Sequence, residues 1–114
     1  MPTLIIRTNA PVPSTDAEPL LKRASATIAQ ALGKPERYVM VLLEPPATMS
    51  FGGTTAPTAF LELKSLGLPE DQTPQLSATL CVLLESELGI PPDRVYIEFA
   101  SPPRHLFGFD RRTF

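Results

Sequence analysis

The feature that most constrains this chain is that it states one pattern twice. Leu32-Gly33-Lys34-Pro35-Glu36-Arg37-Tyr38-Val39 lies over Leu88-Gly89-Ile90-Pro91-Pro92-Asp93-Arg94-Val95 at an offset of 56 residues. The same offset carries Pro2–Thr8 onto Thr58–Lys64, and both segments read as strands. Self-similarity at a fixed spacing marks a duplicated supersecondary unit, here strand–helix–strand. Two copies are too few to stack as a solenoid. The halves, residues 2–57 and 58–114, are therefore expected to pack as one domain over 1–114. A chain of 114 residues can bury roughly two-thirds of its unfolded surface, enough for one core.

The first unit opens with Leu4-Ile5-Ile6, a short apolar β-like run. Thr15 with Glu18 three residues on has the pattern of a capping box, and Pro19 is tolerable only near a helix start. Leu21, Ala24, Ile28, Ala31 and Leu32 recur at helical spacing. Gly33 fits the left-handed position that ends a helix, Pro35 prevents continuation, and Tyr38–Leu43 reads as a second strand. In the second unit Phe60-Leu61-Glu62-Leu63-Lys64 alternates as a strand should. Thr73-Pro74 places a cap before a first-turn proline, and Leu76, Leu80, Leu83, Leu84 and Leu88 form an apolar stripe that Gly89 and Pro91 stop. Val95–Phe99 is the fourth strand, and Leu106–Phe109 is a candidate edge strand.

The strands raise a mismatch. Leu4-Ile5-Ile6 and Val39–Leu43 are apolar without alternation, and such strands want cover on both faces. Two helices cover one face of a four-stranded sheet, and no segment is left for the other. Exposing several hundred Å² of apolar sheet is unusual for a monomer, so oligomerisation is expected.

Several function classes are excluded or disfavoured. The formal charge is −2 and no basic stripe is visible, which argues against nucleic acid. A lone cysteine, Cys81, rules out an intrachain disulfide, and a lone histidine, His105, rules out a multi-imidazole metal site in one chain. The start has no basic region followed by a long apolar one, and no run of about 18 apolar residues exists to span a membrane. A cytoplasmic location is the plain expectation. The 14 prolines fall between apolar segments and act as punctuation.

Candidate chemistry is sparse. Met49–Thr55 holds two glycines but lacks the Gly-Lys-Ser/Thr ending of a phosphate loop, so it reads as a turn. Cys81 reads as a small helix residue and His105 as a surface group. Pro2 alone is a strand-start proline, and Lys34 alone is a lysine near a helix C-terminus. Together they allow more. Methionine is usually trimmed before a small second residue, which would leave Pro2 with a free secondary amine. An apolar pocket and a nearby cation such as Lys34 would both lower its pKa, as a base working near pH 7 requires.

These residues resemble a known family. Pro2 after Met1, Thr8-Asn9, Gly33-Lys34-Pro35, Met49-Ser50-Phe51-Gly52-Gly53, Ser65-Leu66-Gly67, Asp93-Arg94-Val95-Tyr96-Ile97 and Gly108-Phe109 with Thr113-Phe114 are similar, in order and spacing, to the family of macrophage migration inhibitory factor and D-dopachrome tautomerase. The resemblance implies the tautomerase superfamily fold of class α+β. Two β-α-β units form a four-stranded mixed sheet with two antiparallel helices on one face. It implies homotrimers with sites at subunit interfaces, and an isomerase: a keto–enol tautomerase of phenylpyruvate-like aryl 2-keto acids, with no metal and no organic cofactor. Within it Pro2 is the base and Lys34 holds the substrate carboxylate. Ser65 and the Leu66 backbone lie against the substrate. Tyr38, Tyr96, Phe107, Phe109 and Phe114 line the pocket, some from a neighbouring subunit. Secretion without a signal peptide is open by the same resemblance.

Departures from the pattern are specific. Glu98 stands where the family's cytokine has asparagine, at the far end of the ligand, and Lys64 replaces a histidine. Thr58-Ala59-Phe60-Leu61 covers a Cys-x-x-Cys segment without either cysteine, so that dithiol chemistry is not expected. Two alternatives stand beside the tautomerase: a cytokine-like binding trimer with a residual pocket, and a superfamily decarboxylase or hydratase. The last would use extra arginines near the proline, and Arg37, Arg104 and Arg111 are present at positions the sequence does not locate.

Overall fold

The computed structural model describes residues 1–44 and 46–114. The first unit is β1 (Thr3–Thr8), α1 (Ser14–Leu32) and β2 (Met40–Leu43); the second is β3 (Ala59–Lys64), α2 (Thr73–Leu88) and β4 (Val95–Ala100). A short hairpin, β5 (Gly108–Phe109) and β6 (Arg112–Thr113), follows. The 56-residue offset holds in three dimensions. It maps β1 onto β3 end to end, the last residue of α1 onto that of α2, and the 3-10 turn Glu36–Tyr38 onto Pro92–Arg94.

The sheet order is β2-β1-β3-β4. β1 runs parallel to β2 and β3 parallel to β4, as a strand–helix–strand crossover requires. The central pair is antiparallel, with Thr3 opposite Lys64 and Thr8 opposite Ala59. Because Thr3 corresponds to Ala59 and Thr8 to Lys64, this register exchanges equivalent positions. The units are thus related by a pseudo-two-fold axis through the middle of the pair.

Burial alternates strictly along β1 and β3. Leu4, Ile6, Leu61 and Leu63 are fully buried against Ala24 and Ile28 of α1 and Leu76, Leu80 and Leu84 of α2. This resolves the unalternating Leu4-Ile5-Ile6: the pleat sends Ile5 to the other face whatever its polarity. That face has no helix over it among the described residues. It displays Ile5, Phe60, Met40 (65% exposed), Leu42 (46%) and Tyr96 (65%). The Arg7 guanidinium ties it together, bonding to Glu62 and to Glu44, the latter at 3.1 Å. The uncovered apolar sheet face expected from the sequence is therefore present.

Several local expectations are corrected. The buried stripe of α1 is Leu20, Ala24 and Ile28; Leu21 lies one residue round the helix and is half-buried. Thr15 and Glu18 form no capping box, because α1 starts at Ser14 after Pro13 with no side-chain cap, and Glu18 instead pairs with Lys22 at 3.2 Å. Thr73 is the first residue of α2, and its hydroxyl donates back to the Glu70 carbonyl at 3.0 Å. β2 begins at Met40, since Tyr38 is held in the 3-10 turn that Pro35 initiates. The tail adds no edge to the main sheet; β5 pairs with β6. No helix among the described residues is long and apolar enough to cross a membrane.

Candidate active site

Pro2 leads into β1 and is almost fully buried, with its carbonyl accepting the Met40 N–H at 3.0 Å. A proline suits this point, where no ladder donor is needed at the start of the strand. Met1 lies at the meeting point of two cavities. One, of about 460 Å³, is walled by Lys34, Leu66, Gly67, Ser101 and Arg104; the other, of about 220 Å³, is walled by Tyr38, Met40, Phe107 and Phe109. Phe114 borders both.

The first cavity is cationic. α1 ends at Gly33 in the left-handed region (φ 62°), and the Lys34 N–H bonds back to the Ala29 carbonyl at 3.0 Å. A glycine is needed here because that conformation costs an L-residue roughly 1–2 kcal/mol. The reversal carries Lys34 to the end of the sheet, where Nζ donates to the Leu66 carbonyl at 3.4 Å. Ser65 is buried beside it and its hydroxyl donates to the same carbonyl at 3.3 Å. The Ser65 N–H donates to the Ala100 carbonyl at 3.1 Å, which fixes the strand end that presents Leu66. Arg104 is held from the other side by its Nε, which donates to the Phe114 carbonyl at 3.0 Å. Among the described residues the ion pairs involve neither Lys34 nor Arg104. Burial, then Lys34, then Arg104 push the Met1 amine below its ordinary 8.0.

The second cavity is aromatic. Tyr38 meets Phe109 edge-to-face at 5.9 Å, Phe109 stacks on Phe114 at 5.4 Å, and Phe107 lies 6.0 Å from Phe114. The β5–β6 hairpin delivers these rings. Its turn residues Asp110 (φ 51°) and Arg111 (φ 64°) are both left-handed, the geometry of a tight hairpin turn, without the usual glycine. Arg37 lies over the Tyr38 ring at 4.7 Å.

Pro2, Lys34, Tyr38, Leu66, Phe107, Phe109 and Phe114 are thus gathered around the N-terminus, with Ser65 directly behind Leu66. Other candidates are not gathered there within one chain. Lys64 projects from the open sheet face, with Nζ 3.9 Å from Glu62. Tyr96 and Glu98 lie on β4, the opposite edge of the sheet from β2. Tyr96 packs on Phe51 at 4.8 Å, and Glu98 stands exposed opposite Glu62. Arg111 is at the hairpin tip, away from both cavities. The residues between Met49 and Thr55 form the expected turn: Phe51 bridges to Thr54, and Gly52 and Gly53 are left-handed. Cys81 is half-buried on α2 and His105 is exposed. Arg104 had no positional signal in the sequence, because it follows Pro102-Pro103 in a segment without periodicity.

The profile described as macrophage migration inhibitory factor (MIF) matches residues 1–114. The chain belongs to the macrophage migration inhibitory factor family. It is 38% identical over 115 residues to the macrophage migration inhibitory factor of Rattus norvegicus, covering 100% of this chain and 99% of the relative. It is 40% identical over 115 residues to the homolog from Brugia malayi, with the same coverage. Among solved structures, the homologue from Prochlorococcus marinus superposes with a TM-score of 0.93 at 41% identity over 98% of each chain.

Among the described residues of this MIF-family chain, the duplication does not repeat the charged lining of the first unit's pocket. At the offset of 56, Pro2 corresponds to Thr58 and Lys34 to Ile90. Ile90 is fully buried in the core, and Thr58 is locked by its hydroxyl donating to the Arg94 carbonyl at 2.6 Å. The second unit keeps a cavity beside Thr58, of about 480 Å³ and walled by Phe51, Phe60 and Tyr96, but its lining holds no charged residue.

Proposed function

We propose that this protein is a cofactor-independent keto–enol tautomerase of phenylpyruvate-like aryl 2-keto acids, with the Pro2 amine, freed by loss of Met1, as general acid and base. The observation that carries this reading is that the start of the chain lies between the Lys34 and Arg104 side of one cavity and the aromatic wall of another, where the Met1 amine is already lowered in pKa and a freed Pro2 amine would meet the same surroundings. In the forward direction the neutral Pro2 nitrogen takes a proton from C3 of the substrate. The C–H electron pair forms the C2–C3 double bond, and charge moves onto the C2 oxygen. The prolinium returns the proton to that oxygen, giving the enol. Lys34 holds the carboxylate, the Leu66 and Ser65 strand end backs it, and Tyr38, Phe107, Phe109 and Phe114 enclose the aryl ring. The apolar wall also keeps the amine neutral.

The same reading takes the working form as a homotrimer. The open sheet faces cover one another, and the β4 edge of one copy, with Tyr96 and Glu98, reaches the pocket of the next; Lys64 lies on the covered face. Activity then depends on assembly.

The test follows phenylpyruvate ketonisation by ultraviolet absorbance, with intact mass establishing whether Met1 is present. Protein lacking Met1 is expected to be active, and protein retaining it to lose on the order of a hundredfold or more, the scale of one general base. Equal rates would sink the mechanism. A second reading rests on the names of the relatives, each called a migration inhibitory factor. It is a binding trimer with a residual pocket, for which partner binding is indifferent to Pro2→Gly and Lys34→Ala.

A further inference from the structure

Two cations, Lys34 and Arg104, face one cavity, and only one of them, Lys34, has a place in the proposed reaction. Arg104 shares the cavity of about 460 Å³ with Lys34, Leu66 and Ser101. It reaches there from the segment before the hairpin, whereas Lys34 follows the first helix, so the two cations come from different units of the fold. Arg104 is also anchored: Nε is committed to the Phe114 carbonyl at 3.0 Å, which leaves the two terminal guanidinium nitrogens free of any hydrogen bond among the described residues. Arg112, close by in sequence, differs in this respect, since its guanidinium is paired with Asp110 at 3.2 Å. An anchored guanidinium whose two terminal nitrogens are free can grip a carboxylate through two parallel bonds, which an ammonium cannot do.

We propose that Arg104 is a second carboxylate-binding cation beside Lys34, and that this cavity therefore selects substrates carrying a free carboxylate over neutral aryl carbonyl compounds of the same shape. The proposal rests on the reading of this cavity as the substrate site. It is independent of whether Pro2 is the base. The depressed amine beside it agrees with an excess of positive charge at this end of the molecule.

The experiment measures binding first, so that it does not depend on turnover. Affinities for 3-phenylpropionate and for 3-phenylpropanamide, its neutral counterpart, are titrated by calorimetry on the wild type, Arg104→Ala, Arg104→Lys and Lys34→Ala. Arg104→Ala is expected to weaken the acid by roughly three- to tenfold, as for one partly exposed charged contact, and to leave the amide unchanged. Arg104→Lys, which keeps the charge but not the two-bond grip, should recover part of the loss. Three results would each overturn the proposal: a wild type that does not bind the acid, an Arg104→Ala affinity for the acid equal to wild type, or equal losses for acid and amide. An Arg104→Lys variant as weak as Arg104→Ala would do the same, since the role would then be the Phe114 tether. In parallel, KM for phenylpyruvate should rise in Arg104→Ala with little change in kcat. If the wild type binds with this dependence yet shows no turnover, the tautomerase reading fails and the carboxylate seat stands.

Discussion

Lys34 is a residue whose neighbours matter more than its type. On a helix end alone it is an ordinary solvated lysine, and the pairing with the Leu66 carbonyl exists only because Gly33 turns left-handed one residue before it. Its charge bears on pH dependence, and the sign can be worked out. A base must be neutral to act, so kcat/KM rises with pH through the pKa of the amine. In the chain that carries Met1, burial lowers the terminal amine most and Lys34 and Arg104 lower it further; a Pro2 amine freed beside the same groups should be lowered in the same way, which moves the rise toward acid. Lys34→Ala removes one of these cations, so the midpoint of the kcat/KM profile should move to higher pH while KM rises. An unchanged midpoint would show that the lysine binds substrate without acting on the amine. The sequence suggests the proline and the lysine as neighbours, and the fold brings Lys34 to the cavity that Met1 borders. The contact between the Lys34 region and Ser65-Leu66 was not, because it joins residues 32 apart that only the sheet register brings together.

The elements were legible where burial enforces a period and obscure where it does not. β1, β3 and the leucine stripe of α2 stand close to where alternation and helical spacing put them. The capping box failed because Pro13 sets the helix start two residues earlier than the Thr-x-x-Glu pattern implies. The hairpin was missed because Asp110-Arg111 lacks the glycine that normally announces such a turn. The duplicated helix ends give a paired test. Gly33 (φ 62°) and Gly89 (φ 67°) are both left-handed, and a Cβ at either would meet no atom within 4 Å. Gly→Ala at either site should therefore cost about 1–2 kcal/mol of stability, from backbone conformation alone. Only Gly33→Ala should also depress activity, since only that turn leads into the pocket. Urea denaturation with a turnover assay separates the two, and equal activity losses would contradict this division of roles.

For the whole molecule, the open sheet face is the decisive feature. Ile5, Met40, Leu42, Phe60 and Tyr96 form an apolar field that a lone chain leaves wet. Leu42→Glu places a charge in that field beside Ile5. Because Leu42 is already 46% exposed in the single chain, the fold should survive. Sedimentation velocity should then report a smaller species than wild type, with activity lost in step; an unchanged sedimentation coefficient would argue against covered sheet faces. The strand order has one more consequence, which concerns time. β1 is made first, yet it is the inner strand that needs β2 and β3 on its two sides. At roughly 5–20 residues per second, several seconds of synthesis separate β1 from β3. Throughout that interval the chain start lies open to any aminopeptidase waiting at the ribosome, whereas in the finished fold Pro2 is almost wholly enclosed. Met1 itself stays partly exposed in the finished fold, at the mouth of both cavities, so folding encloses the proline and leaves the methionine before it within reach.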